Sequence, residues 1–132
     1  MSDLHSEEIL LRVPGDPSCA LILRTTLGGV AILHDLTVDQ LDDLRTAADE
    51  ACDCLLHQGR DVAALVMRVT QTEGGLTVSI EAEFAGEGAP EHLHGNADVA
   101  LAVLETLIPQ VTLGKTECGC ICLIGLTMPA VA

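Results

Sequence analysis

The sequence predicts an α+β fold: a two-layer α/β sandwich whose mixed, mainly antiparallel sheet carries three helices on one face. Two stretches and the chain length predict it. Residues 37–58 place Leu41, Leu44, Ala48, Cys52, Leu55 and Leu56 three or four positions apart, the spacing that lines one face of a helix. Residues 76–84 alternate strictly. Leu76, Val78, Ile80, Ala82 and Phe84 share one face of a strand, and Thr77, Ser79, Glu81 and Glu83 the other, so one sheet face is wet and the other packs on helices. A length of 132 residues makes residues 1–132 one domain.

The elements follow in order. Residues 6–13 read as a strand. Asp16 and Pro17 start a helix over residues 17–33, Asp16 as cap and Pro17 at the first helical position. Ala20, Leu23, Leu27 and Val30 or Ala31 form its apolar face, and the pair Gly28-Gly29 predicts a kink or fraying in its second half. In the next helix Thr37 and Gln40 have the spacing of a capping box, and Asp39 sits where the helix dipole favours an acid. Residues 61–71 form a strand joined to 76–84 through Thr72-Glu73-Gly74-Gly75. After the glycine-rich stretch 85–96 comes a helix over residues 97–107, capped by Asn96 or Asp98 and ended by Pro109, with Val99, Val103, Leu104 and Leu107 facing the core. Residues 111–113 and 117–127 form a last hairpin turning at Gly114-Lys115-Thr116. The expected buried set is Leu41, Leu44, Ala48, Leu55, Val78, Ile80, Phe84, Val103 and Leu107.

Composition narrows the function classes. Hydrophobic residues make up 48%, and Phe84 is the sole aromatic, so the core is aliphatic. No apolar run is long enough to span a membrane, and the acidic start lacks the basic segment of a signal peptide, which points to a cytoplasmic protein. The net charge of −14 disfavours nucleic acid; it fits a basic protein partner and equally an acidic surface that only keeps an apolar domain in solution.

Within the helix 37–58, the run Ala47, Asp49, Glu50, Ala51, Cys52 resembles the N box of the anti-sigma factor serine-kinase branch of the GHKL (Bergerat-type, histidine-kinase-like) ATPases, which reads E-A-C-x-N. Cys54 stands where the family has asparagine. The element order is similar as well. The resemblance implies the histidine-kinase-like ATPase fold, ATP and Mg²⁺ as cofactors, a sigma factor and an anti-anti-sigma (STAS) protein as partners, and pairing of two copies through the sheet and first helix. It gives Glu50 the catalytic role of orienting or deprotonating a nucleophile. The nucleotide-binding positions carried over are Glu50, Asp53, Cys54, Glu83, Gly86 and Gly88. Glu83 stands in for the adenine-binding aspartate, and Gly86 and Gly88 for the glycines of D-x-G-x-G, at an offset spacing. Sulfur from Cys54 suits soft metals rather than Mg²⁺, and Asp53 is rotated about 100° from the family's ligand position.

The other metal-capable side chains are read structurally, and no residue is assigned to a metal. Cys118, Cys120 and Cys122 alternate, so on a strand they share a face as reduced core residues. Cys52 and Cys54 lie roughly 200° apart on their helix and cannot chelate one ion together. His92 and His94 belong to a solvated loop, and His57 to the helix C-terminus, where it complements the dipole. The function expected is a regulator of transcription acting by protein binding, with a degraded ATP site and little or no kinase activity. The alternatives are an active Mg-ATP-dependent serine protein kinase and a cysteine-based metal- or thiol-dependent module.

Overall fold

The computed structural model describes residues 8–72, 75–86 and 97–129. The expected turn residues Glu73 and Gly74, the cap Asn96, Gly88, His92 and His94 lie outside them. The described strands are β1 (Ile9–Pro14), β2 (Val62–Thr72), β3 (Gly75–Phe84), β4 (Gln110–Lys115) and β5 (Ile121–Pro129). The helices are α1 (Ala20–Leu33), α2 (Val38–Leu56) and α3 (Ala97–Leu107), and a 3-10 turn over Pro17–Cys19 leads into α1. The five strands form one sheet in the order β1-β2-β3-β5-β4.

Chain direction explains why the sheet, expected to be mixed but mainly antiparallel, is antiparallel at every pairing. Two helices separate β1 from β2, so the chain has reversed direction when it re-enters the sheet beside β1. A single helix separates β3 from β4, which leaves these strands running the same way. They do not touch, because β5 lies between them and opposes both.

Local chemistry fixes the helix starts. The Asp16 carboxylate accepts hydrogen bonds from the backbone N–H and the hydroxyl of Ser18, at 2.8 and 2.7 Å. The capping box on α2 is complete. The Gln40 N–H donates to the Thr37 hydroxyl at 3.1 Å, and the Thr37 N–H donates to Gln40 Oε1 at 2.9 Å. Between α1 and α2, Asp35 takes a φ of 55°, a left-handed conformation that aspartate tolerates in tight reversals. α1 runs through Gly28-Gly29 without the expected break.

α2 is the centre of the helical layer and touches α1, α3, β2, β3 and β5. That position widens its buried face beyond the expected stripe. Ala47 and Ala51 join Leu44, Ala48, Cys52 and Leu55 in the core, and these small side chains let the helix sit close to the sheet. Leu41 lies at the edge and is half-buried. On the sheet side Leu65, Met67, Val78, Ile80, Ile124 and Leu126 belong to the same core cluster.

Two burial expectations need correction. Phe84 and Leu107 are partly buried and pack against the core, but Val99 and Val103 face solvent. α3 buries Ala100 and Leu104 instead, with Ile108 just beyond its end. A flanking helix buries one narrow stripe, and ADVALAVLETL is apolar nearly all round, so its spacing admits neighbouring stripes equally well. The last turn also moves. Gly114 belongs to β4, beside an irregularity in the register, and the reversal runs from Thr116 to Cys120. Gly119 takes a φ of 90° there. Cys118 and Cys120 therefore lie in the turn, and only Cys122 lies on the strand.

Candidate functional site

The candidate site begins on α2, where the helix leaves the protected centre of the layer. Cys52 points into the core, and burial, helped by the charges of Asp49 and Asp53, pushes its thiol up to about 12. Glu50 and Cys54 are half-buried and four positions apart, on one side of the helix. The Cys54 thiol is also raised, first by burial and then by the negative charges of Glu50 and Asp53. Cys54 is therefore a neutral S–H at neutral pH.

Asp53 points to solvent and is held by the helix end. Nδ1 of His57 lies 3.0 Å from its carboxylate and 2.9 Å from its backbone carbonyl. Both neighbours accept, so Nδ1 carries the proton. His57 is the residue that closes α2, in keeping with a helix C-terminal role. Near Glu50, α2 thus offers a neutral sulfur at Cys54 and the carboxylates of Asp49 and Asp53, which lie 3.6 Å from Arg24 and 3.0 Å from His57. Mg²⁺ prefers oxygen donors, and the thiol one turn beyond Glu50 is not one.

Glu83 is not brought to α2. It lies on the outer sheet face, where Nη2 and Nε of Arg12 both donate to its Oε1 at 2.8 and 3.0 Å. Its β3 neighbour Ala82 is buried under the helical layer, so the carboxylate of Glu83 and the carboxylate of Glu50 belong to opposite sides of the sheet. Gly86 follows β3 with a φ of 71°, and its carbonyl accepts from Nη2 of Arg60 at 3.5 Å. Gly88 lies outside the described residues.

Two features at this end of the molecule carry no obvious sequence signal. Gln58, only 4% exposed, donates through Nε2 to the carbonyls of Ile121 and Leu55, at 2.8 and 3.3 Å, and accepts the Ile121 N–H at 2.7 Å. This one side chain ties the end of α2 to the start of β5. Arg60 stacks its guanidinium on the Phe84 ring, 4.3 Å from the centroid. A shallow depression lined by Leu56, His57, Gly59, Arg60 and Asp61 lies beside them. The signals available were a polar residue just before Gly59 and the uniqueness of Phe84; neither names a partner.

No protein-family model matches the chain. It is similar to the serine-protein kinase RsbW of Bacillus subtilis, at 40% identity over 48 residues. That match covers 36% of this chain and 30% of the kinase, so the chain spans less than a third of the relative that it matches.

Proposed function

We propose that the chain is a regulator that resembles an anti-sigma factor, acts by binding other proteins in the control of transcription, and has lost most or all phosphoryl-transfer activity. The observation that carries this reading is the state of the α2 site. Glu50 is present, but the position one turn on is a neutral, half-buried thiol, and the nearby carboxylate is held by His57. Phosphoryl transfer depends on metal charge neutralisation and positioning, which this donor set does not favour. The wrong-face placement of Glu83 supports the same reading for the adenine side. Binding through a surface needs neither part. The partial similarity to a serine-protein kinase supports a sigma factor and a STAS protein as the partners, and the −14 charge favours a basic surface on one of them. By the same resemblance the protein works in the cytoplasm and pairs with a second copy.

The same similarity favours a second reading, an active serine protein kinase that uses ATP and Mg²⁺. One experiment separates them. The protein is incubated with radiolabelled Mg-ATP and a STAS protein, and its binding to a basic sigma-factor fragment is measured at two salt concentrations. The regulator reading expects no transfer of label, and binding that weakens roughly tenfold or more as screening rises. Robust serine phosphorylation that Glu50→Ala abolishes would establish the kinase instead.

A further inference from the structure

The turn between β4 and β5 holds a cluster of groups unrelated to Glu50. Cys118 and Cys120 flank Gly119, and their sulfurs lie 3.3 Å apart. The positive φ of Gly119 folds the three residues so that both side chains meet on one side of the turn. The turn is held by its own backbone. The Thr116 N–H donates to the Cys120 carbonyl at 2.8 Å, and the Gly119 N–H donates to the Thr116 carbonyl at 3.0 Å. The Thr116 hydroxyl lies 3.0 Å from the Cys118 sulfur. Cys118 is partly exposed, whereas Cys120 is fully buried. The pair is thus asymmetric: one sulfur can be reached from solvent, and the other can be reached from the first.

We propose that Cys118 and Cys120 form a thiol–disulfide exchange site, with Cys118 as the attacking sulfur, Cys120 as the resolving sulfur, and an oxidised low-molecular-weight thiol of the glutathione type as co-substrate. The electrostatics favour these roles. Hydrogen bonds from the Thr116 hydroxyl, the Cys120 backbone N–H and the Cys120 thiol, with the nearby Arg60 charge, lower the Cys118 thiol to about 7. Burial and the neighbouring Cys118 raise Cys120, which keeps it as the proton-bearing partner. An exposed thiolate beside a cation is the form that attacks disulfides.

In the first step the Cys118 thiolate attacks one sulfur of the small disulfide RS–SR. That S–S bond breaks, RS⁻ leaves, and Cys118–S–SR forms. In the second step the Cys120 thiol attacks the Cys118 sulfur as its proton passes to the departing thiolate. The mixed bond breaks, the second thiol leaves as RSH, and the Cys118–Cys120 disulfide remains. Two protein thiols are oxidised and one RS–SR is reduced to two RSH. The sulfurs must close from 3.3 Å to about 2.0 Å, a movement confined to this turn. Forming the ring draws Cys118 away from the Thr116 hydroxyl. The residue that follows Cys120 is Ile121, the one gripped by Gln58, so the bond forms one residue from the tie between β5 and α2.

The test treats the reduced protein of residues 1–132 with oxidised glutathione, blocks remaining thiols, and analyses the tryptic peptide 116–132 by mass spectrometry. That peptide also contains Cys122, so Cys122→Ser is run alongside. The proposal expects a loss of two hydrogens in wild type and in Cys122→Ser, a stable glutathione adduct in Cys120→Ala, and neither product in Cys118→Ser. Cys118→Ser changes a partly exposed turn position, so it keeps the test decisive if Cys120→Ala fails to fold. An unmodified peptide in the folded wild type overturns the proposal. So does an intramolecular bond that persists in Cys118→Ser or vanishes in Cys122→Ser, or a covalent dimer as the sole oxidation product.

Discussion

Gln58 concentrates several of the molecule's long-range constraints in one side chain. Its amide satisfies both backbone groups of Ile121, a residue 63 positions away, inside an aliphatic core. Gln58→Ala strands an N–H and a C=O, which should lower stability by about 2–4 kcal/mol, read as a shift in the urea midpoint. The sequence could not announce this role, because a glutamine just after a helix is ordinarily a solvated end residue and its partner lies on a distant strand. Cys52 was legible, since its place in the 3.6-residue pattern put it on the buried face. Its buried thiol gives a second prediction. The folded state raises this group above its ordinary value of 9.0 to about 12, so the native protein holds a proton that the unfolded chain releases in that window. Stability contributed by Cys52 is therefore present below pH 9 and lost as pH rises toward 12, with a slope approaching roughly 1.4 kcal/mol per pH unit. Urea melts of wild type and Cys52→Ala across this range should show the wild type losing its relative advantage; parallel pH profiles would refute the linkage.

At the scale of elements, the two glycines of α1 behave differently despite their adjacency. A methyl group on Gly29 meets open space, so Gly29→Ala should stabilise α1 by about 0.5–1 kcal/mol through helix propensity alone. A Cβ on Gly28 would sit 2.7 Å from Nη2 of Arg45 on α2, so Gly28→Ala should gain less or nothing, because the guanidinium must move. Paired urea melts of the two variants check the contrast. The sequence suggested a weak point at these glycines; packing against α2 and the intact hydrogen-bond ladder override that local cost. The capping box and the β2–β3 pairing were readable because their signals are local: a three-residue spacing in one case and a two-residue alternation in the other. The buried stripe of α3 was not, since its apolar residues surround the helix. The cysteine triplet misled for a related reason. Alternation fits a strand, but Gly119 lets the first two members turn instead.

For the whole molecule, the layer order and the helix-covered face followed from periodicity, whereas the sheet order did not, because no residue pattern specifies which strand fills the place beside β3. The candidate site divides the same way. Glu50 and Cys54 were found on one helix, where spacing along the chain measures distance in space. Glu83 was placed with them by sequence analogy, while alternation assigned it to the wet face, where it is bonded to Arg12. The strand order has a consequence for the way the protein is made. β5 follows the other four described strands in sequence, yet it occupies the interior position between β3 and β4. During vectorial synthesis, β1, β2 and β3 can pair as soon as they leave the ribosome, but β3 then presents a bare hydrogen-bonding edge, backed by an unfinished apolar face, until β5 emerges. The nascent chain is most prone to capture by chaperones, or by another unfinished copy, in that interval, and β5 acts as the clasp that ends it.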